Sequence, residues 1–552
     1  MDSLSVSTLK KLRTEIEALC GKGEVPGVEC AMFSGDRILF SYDYGQINKI
    51  MEIPSDLDSL YMIGSNTKMM TALCCMKLAE EGRLNLHADI REYLPAFSLQ
   101  NSSAKITVEV LLQHRAGLVG DLFNLTCEDG LRSLPQALQK TEPTCAPGEM
   151  FSYSNLGYGI LGLLIQHVTG YSYEYYVNQI IAEPLGIKIY FHKEERSRFS
   201  CAYDKKGQET EDFISSLPEI SAGTCTYMSM ADFLKFGQVF LNQGAPILKP
   251  QTMTLMESLP LRDPMDEKLC GYGYGLIHNQ YCFPRVTVLG HGGDTMCHHS
   301  VFNYIKELGV GVAVMTNGAA GMALAGKLGL LMLRTALKEG GRTAVIPERG
   351  AMDQKISPAI LGTFATMMGP LEIRQDSWNH LHTSIKGVKV RLSPAGGGWV
   401  HCTPGSLLTC VPALRRQIER IYLKPGTYQG KPVLLAVSRC RDFWSMGVLG
   451  VPFREAEIPA SFHHAAGTYE PADPRIRAGL SMTVRLTEKD GKLLASVDTD
   501  AMKTECLLLP LDDSKAVIQG FGRYAGESVL LNSEENTLYF SGITLKQKKI
   551  TE

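Results

Sequence analysis

The sequence lacks three features that would place it in a specialised class. It has no surplus of basic residues, since 55 Lys and Arg stand against 58 Asp and Glu, so we expect neither a nucleic-acid partner nor an anionic membrane surface. It has no run of the roughly 18 to 20 apolar residues that a membrane span needs. Its 15 cysteines include no C-x-x-C pair and no apolar signal core precedes them, which favours reduced thiols and a cytoplasmic location.

The first 340 residues combine strand patterns at both ends with a helical middle. Residues 27–45 alternate around a Ser-Gly-Asp turn, which is typical of a β-hairpin, and residues 297–317 predict two further strands. A long apolar helix is predicted over 321–340, and the section from 65 to 285 has helical periodicity. A sheet built from both ends of a segment around a helical insertion is an α/β layer arrangement. We therefore predict one α/β (α+β) domain over residues 1–340.

The character of the chain changes after this domain. A polar connector with two prolines occupies residues 341–359. Short alternating segments then dominate, and the Asp490-Gly491 pair between two of them is a strong hairpin signal. A Gly-Thr-aromatic triplet opens each of two such regions, so we predict two similar antiparallel β-domains, over 360–458 and 459–552.

The stretch YMIGSNTKMMTALCCMKLAEEG is so nearly continuous in apolar residues that it predicts a buried helix from Ser65 to Gly82. Ser65 and Lys68 lie in its first turn, three positions apart, so the lysine amine can lie beside the hydroxyl. Burial and the positive end of the helix dipole both disfavour the charged ammonium. A neutral lysine can activate the serine as a nucleophile, and the peptide N–H groups at the helix start can bind an oxyanion. The alternative is a capping serine and a lysine that extends to water.

A second polar element, Tyr153-Ser154-Asn155, ends a loop just before an apolar helix. A tyrosine can relay a proton to a leaving group, and an asparagine amide can orient a substrate carbonyl. The alternative interpretation is a loop tyrosine that packs its ring and an asparagine that caps the helix.

The third element, His291-Gly292-Gly293, precedes a strand pattern. Glycines at this position would let a substrate approach the strand edge, because they carry no side chain. A peptide N–H group nearby could complete an oxyanion hole with that of Ser65. Taken alone, His291 could equally be a turn histidine that is bonded to the backbone.

Four residues near this triplet raise the possibility of zinc, namely His291, Cys297, His298 and His299. Adjacent histidines on a strand point to opposite faces of the sheet. No second pair of ligands is evident in the sequence, so we expect no metal ion and no other cofactor.

Taken together, a Ser-x-x-Lys motif, a Tyr-x-Asn motif and a His-x-Gly triplet resemble the serine β-lactamase and penicillin-binding-protein superfamily, in its class C-like branch. The stretches IGSNTK, LLQHRAGLVGD and MSMADFLKFGQVFLNQG are similar to that family as well. The resemblance covers residues 10 to about 340 and implies an antiparallel sheet flanked by helices, with an all-helical region. It also implies a role for each motif residue: the acylated nucleophile Ser65, its base Lys68, the leaving-group acid Tyr153, and the substrate-binding residues Asn155, His291, Gly292 and Gly293.

The third motif differs from that of most members of this superfamily, and the difference indicates which members the chain resembles most. Class C β-lactamases and typical DD-peptidases carry lysine in the third motif, whereas His291 is mostly neutral at pH 7. The histidine triplet and the two trailing β-domains are most similar to the D-stereospecific aminopeptidases, in which two eight-stranded, lipocalin-like barrels follow the catalytic domain. This resemblance implies a peptidase or amidase that acts on a small peptide, amide or ester. The alternative for the barrels is that they serve only for packing or for homodimer or higher homo-oligomer formation.

Two alternatives remain beside the aminopeptidase interpretation. A carboxylesterase or a weak β-lactamase of the same fold would share the catalytic motifs. A non-catalytic scaffold or ligand-binding homologue would keep the fold without the reaction. The intact set of Ser65, Lys68, Tyr153 and Asn155 favours a hydrolase, because a retired site need not keep all four.

In the D-aminopeptidases a loop of the last barrel enters the catalytic cleft and restricts the substrates. The resemblance leads us to expect the same of PADPRIRAGLSM, residues 471–482, which carries two prolines. We expect a carboxylate such as Asp473 to bind the ammonium group of a substrate there.

Overall fold

The structure of the 552-residue chain is a computed structural model. It contains three successive folded units, a mixed α/β domain followed by two β-barrels. It describes the whole chain except residues 2, 24, 124–129, 194–197, 218–220, 260–269, 284, 343–355, 386, 405–411, 441–442, 500–502 and 549–552.

The described residues of the first unit include twelve strands, eight of which form one antiparallel sheet. They are β1 (Gly27–Ser34), β2 (Arg37–Asn48), β3 (Ile53–Pro54), β4 (Leu60–Met62), β5 (Ala202–Tyr203), β6 (Glu209–Thr210), β7 (Tyr227–Ser229), β8 (Gly271–Tyr272), β9 (Ile277–His278), β10 (Leu289–Asp294), β11 (His299–Ile305) and β12 (Val310–Thr316). The order in the main sheet is β3-β2-β1-β12-β11-β10-β9-β8, so both ends of the domain meet at its centre. Strands β4 and β7 form a separate pair beside it.

Eleven helices accompany these strands among the described residues of the first unit. They are α1 (Val6–Cys20), α2 (Thr67–Glu80), α3 (Val108–Leu112), α4 (Leu134–Leu138), α5 (Asn155–Thr169), α6 (Tyr173–Val177), α7 (Glu183–Leu185), α8 (Ser221–Thr224), α9 (Met230–Leu241), α10 (Pro250–Met256) and α11 (Gly321–Glu339). Helices α1 and α11 pack on one face of the sheet, and α2, α5 and α9 belong to the apolar core on the other. Strand β1 is therefore buried along its whole length, because both faces of the sheet are covered.

The second and third units are closed barrels of eight antiparallel strands each. The first contains β13 (Gly362–Thr366), β14 (Gly369–Gln375), β15 (Leu381–Ile385), β16 (Val388–Pro394), β17 (Val400–Pro404), β18 (Ile421–Tyr428), β19 (Lys431–Arg439) and β20 (Trp444–Pro452), with helix α12 (Pro412–Ile418). The second contains α13 (Ala460–His464), β21 (Gly467–Pro471), α14 (Pro474–Leu480), β22 (Thr483–Lys489), β23 (Lys492–Asp498), β24 (Lys503–Pro510), β25 (Lys515–Gln519), β26 (Ser528–Asn532), β27 (Thr537–Phe540) and β28 (Ile543–Gln547). Apolar side chains fill both interiors.

The predicted fold class is confirmed, with an antiparallel sheet and helices followed by two antiparallel barrels. The Asp490-Gly491 pair forms the tight turn between β22 and β23, and both residues have positive φ. Most of the predicted connector at 341–359 lies outside the described residues. Among the helices that the structure describes, none is both long enough and apolar enough to cross a bilayer.

Candidate active site

Ser65 lies at the point where a tight turn becomes a buried helix. The turn is a 3-10 segment, Gly64–Asn66, and α2 follows it directly. Every residue of α2 from Thr67 to Met76 is buried, because the helix lies between the sheet and the helical region. The prediction of a buried helix that starts at Ser65 is therefore confirmed to within two residues.

Lys68 is fully buried and its amine contacts three oxygen atoms. Its Nζ lies 3.1 Å from Ser65 Oγ, 2.7 Å from Asn155 Oδ1 and 2.9 Å from the carbonyl oxygen of Gly223. Burial holds the pKa of Lys68 well below its usual range, and the nearby charge of Arg523 lowers it further, whereas Asp121 opposes the shift. We infer that the amine is neutral.

A neutral amine has two N–H donors and one lone pair. Asn155 Oδ1 and the Gly223 carbonyl can only accept, so they take the two N–H groups of Lys68. The lone pair is then left for the hydroxyl of Ser65. Once the amine is neutral, this arrangement leaves its lone pair for the proton of the Ser65 hydroxyl, whereas a charged ammonium would donate to all three oxygen atoms.

Tyr153 flanks the same pair of residues from the loop before α5. The centroid of its ring lies 4.8 Å from Lys68 Nζ. Burial raises the pKa of Tyr153 above its usual value, and a hydrogen bond with Ser65 opposes the rise. The phenol therefore keeps its proton near neutral pH and can donate it.

The ring of Tyr153 is held in place by a buried histidine. Its centroid lies 4.0 Å from that of His114, and the two rings are tilted by 32°. His114 Nδ1 accepts a hydrogen bond from the backbone N–H of Ser154, at 3.0 Å. Burial keeps the pKa of His114 well below its usual value, so a neutral ring supports the tyrosine.

Asn155 is the first residue of α5, which Ser154 caps by accepting a hydrogen bond from the N–H of Gly157. The amide of Asn155 accepts from Lys68 through Oδ1 and donates from Nδ2 to Asp121 Oδ1, at 2.8 Å. Asn155 therefore orients the lysine in this structure. A direct contact with a substrate amide, the role implied by the resemblance, requires one of these two partners to be exchanged.

The triplet His291-Gly292-Gly293 precedes β11, as the sequence pattern predicts, and it lies within a further strand, β10. A Cβ atom on Gly293 would lie 1.9 Å from the carbonyl oxygen of Ile63, just before the serine turn. Glycine thus lets the strand approach the turn, and the peptide nitrogen of Asp294 comes beside Gly64.

His291 is buried and neutral. Its Nδ1–H donates to the carbonyl oxygen of Gly292 at 2.5 Å, and its Nε2 accepts from the hydroxyl of Tyr272 at 2.8 Å. Burial is the main cause that lowers the pKa of His291 to about 3. This residue therefore supplies no positive charge for a substrate carboxylate near neutral pH.

A segment of the last barrel reaches the catalytic domain beside these groups. We call residues 520–527, between β25 and β26, the docking loop. The guanidinium of Arg523 pairs with the carboxylate of Asp121, and the hydroxyl of Tyr524 donates to the same carboxylate at 3.2 Å. Arg523 Cζ lies 5.7 Å from the centroid of the Tyr153 ring.

Glu527 anchors the other end of the docking loop. Its Oε1 accepts from the backbone N–H of Gly120 at 2.7 Å, and its Oε2 accepts from the hydroxyl of Ser541 at 2.7 Å. Gly526 packs so closely on this domain that a Cβ atom there would lie 2.2 Å from the carbonyl oxygen of Thr144. The loop is thus fixed on the catalytic domain at several points.

Residues 471–482 do not form the expected loop, although Gly479 packs against Phe213 of the catalytic domain. Residues Pro474–Leu480 form helix α14, and Ile476 and Leu480 are buried in the apolar core of the barrel. Asp473 caps this helix and pairs with Arg475 at 2.7 Å, so its carboxylate is already engaged. The docking loop lies beside the catalytic groups, where this segment was expected, and its Arg523 carries a positive charge.

A buried Ser-His-Asp arrangement lies elsewhere in the same domain. Ser200 Oγ is 2.9 Å from His298 Nε2, and His298 Nδ1 is 3.3 Å from Asp212 Oδ2. All three residues are buried. A substrate has no access to this serine, so the arrangement braces the turn after β10 and does not form a second active site.

The residues considered for zinc do not converge. The ring of His298 contacts Asp212 and Ser200, whereas His299 Nδ1 lies 2.8 Å from Asp294 Oδ1. Adjacent residues on the strand therefore point to opposite sides of the sheet. Within the residues that the structure describes, no group of three His, Cys, Asp or Glu is placed to hold a metal ion.

Sequence reasoning missed Asp121 and Arg523, which are separated by 402 positions in the chain. Asp121 ends the stretch LLQHRAGLVGD, which supported the family resemblance but carried no assigned role. Nothing in the pattern around Arg523 distinguishes it from other surface arginines, and only the docking of the barrel gives it a partner.

Comparisons with known proteins agree with this geometry. The family model described as beta-lactamase matches residues 12–337. Protein flp of Staphylococcus aureus strain MRSA252 is 30% identical over 227 residues, which cover 40% of this chain but only 44% of that protein. Penicillin-binding protein 4 of Amycolatopsis lactamdurans is 28% identical over 323 residues, or 55% of this chain and 83% of that protein.

Solved structures show the same fold. SurE aligns with a TM-score of 0.56 at 20% identity, covering 80% of this chain and 99% of SurE. The octameric penicillin-binding protein homologue from Pyrococcus abyssi aligns with a TM-score of 0.52 at 20% identity, covering 99% of this chain and all of that one.

Proposed function

Because the chain belongs to the β-lactamase family, we propose that it is a serine hydrolase that cleaves amide or ester bonds through an acyl-enzyme on Ser65. The observation that carries the proposal is the position of the buried Lys68 amine, which lies 3.1 Å from Ser65 Oγ and 2.7 and 2.9 Å from two further acceptors, so that its neutral form directs a lone pair at the serine. A buried serine–lysine pair with no polar function would not need this arrangement, since a capping serine can be satisfied by the helix backbone.

Acylation begins when Lys68 takes the proton of the Ser65 hydroxyl and the oxygen attacks the substrate carbonyl. The carbonyl oxygen becomes an oxyanion, and the groups proposed to bind it are the peptide N–H groups of Ser65 and Asp294, since the Asp294 nitrogen lies beside Gly64. Tyr153 donates its proton to the leaving amine or alcohol as the bond breaks, and Lys68 returns a proton to the tyrosine. Water then attacks the acyl-enzyme with the same groups, releasing the acid and restoring Ser65.

Within this reaction class we propose a peptidase or amidase of the D-aminopeptidase type, acting on small substrates. Two closed eight-stranded barrels follow the catalytic domain, as in that group. The third motif holds a neutral His291 in place of lysine, which removes the charge that a β-lactam carboxylate would need. The docking loop lies beside Tyr153 and would shorten the cleft, which disfavours long substrates.

A panel of substrates tests this proposal with one protein preparation. It contains D- and L-aminoacyl p-nitroanilides, their N-acetylated forms, short-chain p-nitrophenyl esters and a chromogenic cephalosporin, each measured with the native chain and with Ser65→Ala. We expect turnover of a free D-aminoacyl amide above its L and N-acetylated forms, and none with the alanine variant. Turnover of esters alone would identify a carboxylesterase, and turnover of the cephalosporin a β-lactamase. No turnover of any substrate would support a scaffold.

A further inference from the structure

A continuous chain of side-chain contacts connects the last barrel to the catalytic lysine. Arg523 of the docking loop pairs with Asp121, which accepts a hydrogen bond from Asn155 Nδ2 at 2.8 Å. Asn155 Oδ1 in turn accepts from Lys68 Nζ at 2.7 Å. Asp121, Asn155 and Lys68 are all buried, so solvent screens this chain only weakly.

The contact between the two units is specific around Asp121. The docking loop supplies both Arg523 and Tyr524 to one carboxylate oxygen, while Glu527 fixes the backbone of the preceding residue, Gly120. On the other side of Asp121, the backbone N–H of Phe123 donates to the carbonyl of Ser541 in the same barrel, at 3.0 Å. The barrel therefore clamps the segment that carries this carboxylate.

We propose that Arg523 is a positioning residue of the active site, which acts on Lys68 through Asp121 and Asn155 and makes the last barrel part of the catalytic machinery. The inference rests on the proposed function of Ser65 and Lys68 but goes beyond it. The family motifs lie wholly within the first unit, whereas this residue lies in the third.

Arg523 and Asp121 have opposite effects on the pKa of Lys68. The positive charge of Arg523 disfavours a proton on Lys68, and the negative charge of Asp121 favours one. The same two charges act in the same directions on Tyr153, so the pKa of the coupled pair shifts as a whole. Removing Arg523 leaves the effect of Asp121 uncompensated, and the pair then releases its proton at a higher pH.

Other ionisable groups also lie near the amine, and all of them remain unchanged in the variants below. They are Tyr153 and Tyr158, which face it with their rings, together with Cys225, His114 and His291.

The test is the pH dependence of kcat/KM for p-nitrophenyl butyrate, a neutral ester, measured on the full chain from pH 5 to 10. Arg523→Gln should move the midpoint of the rising limb upward by about one pH unit. At any pH well below the native midpoint the rate should then fall about tenfold, while the rates at high pH converge with those of the native chain. Asp121→Asn should move the midpoint the other way.

Two controls separate this effect from a loss of packing. Arg523→Lys keeps the charge and should restore the native midpoint. Arg475→Gln removes an exposed arginine from the same barrel and should change nothing. If thermal unfolding shows that Arg523→Gln does not fold, the midpoint of Asp121→Asn decides the question. That variant removes the carboxylate partner of Arg523, but water can solvate the guanidinium because the arginine side chain is partly exposed.

A midpoint that stays fixed in the folded variants, whether or not the plateau falls, overturns the inference and leaves Arg523 as a packing residue. This failure is distinct from that of the proposed function, which would show as an absence of Ser65-dependent ester turnover in the native chain.

Discussion

At the scale of single residues, the site depends on how Lys68 is surrounded. Its amine lies between two oxygen atoms that can only accept and one hydroxyl that can donate. Burial removes the charge, and the acceptors then fix the direction of the lone pair. Chemical identity and hydrogen-bond geometry together make this lysine a base and not a source of positive charge.

Lys68→Arg should therefore be nearly as damaging as Lys68→Ala, with both lowering kcat/KM by several orders of magnitude. Arginine keeps the charge but does not lose a proton at working pH, so it cannot take the proton of Ser65. The measurement is ester turnover at pH 8. Lys77→Arg, on the same helix and paired with Glu80 at the surface, is the matched control and should retain native activity. An arginine variant at position 68 with a tenth of native activity would show that another group is the base.

At the scale of elements, the approach of β10 to the serine turn depends on the absence of a side chain. The strand and the turn are held together by Ser300, whose hydroxyl donates to the carbonyl of Ile63 at 2.6 Å. Gly293 contacts the same carbonyl, whereas Gly292 on the opposite side of the strand is less confined. The structure therefore has room for a side chain at Gly292 but not at Gly293.

Gly293→Ala should lower acylation by at least about a hundredfold, because its Cβ would meet the Ile63 carbonyl at 1.9 Å and displace the strand that carries the proposed oxyanion-binding N–H group of Asp294. Gly292→Ala should have little effect, since its nearest atom would be the Ser300 carbonyl oxygen at an ordinary 3.8 Å. The check is the single-turnover acylation rate of both variants with one activated ester. Equal losses in the two would contradict this account of the strand.

The elements also show what the sequence could and could not predict. Helix α2, the hairpin strands and the two barrels follow from local periodicity and turn residues, which is why they were predicted close to their observed bounds. The segment 471–482 was misjudged because two prolines suggested a loop, yet Pro474 occupies the first turn of a helix that Asp473 caps. The pairing of Arg523 with Asp121 had no local signal, since it arises only when the barrel docks.

At the scale of the whole molecule, a buried carboxyl group lies at the contact between the last barrel and the catalytic unit. Burial raises the pKa of Glu527 to about 7 from an ordinary 4.5. The group is neutral below pH 4.5 in both the folded and the unfolded chain. As the pH rises towards 7 and beyond, the unfolded chain ionises first, and the folded state loses stability by about 3 kcal/mol in total.

Glu527 should therefore make the native chain less stable at pH 8 than at pH 5, and Glu527→Gln should remove this contribution of up to about 3 kcal/mol, because glutamine accepts the same hydrogen bond from Gly120 without ionising. The measurement is the thermal unfolding midpoint of both proteins across this range. Glu534→Gln, at an exposed turn of the same barrel, should keep the native pH dependence. An unchanged dependence in Glu527→Gln would show that this carboxyl group does not govern the contact.

The acyl-enzyme on Ser65 is tested most directly by covalent labelling with a fluorophosphonate probe, followed by intact mass and peptide mapping. We expect one adduct per chain, on Ser65, with labelling that is abolished in Ser65→Ala and strongly slowed in Lys68→Arg. Ser200, buried beside His298, should stay unmodified. A folded native chain that takes no label, or takes it at another serine with equal labelling of Ser65→Ala, would contradict the assignment of Ser65 as the nucleophile.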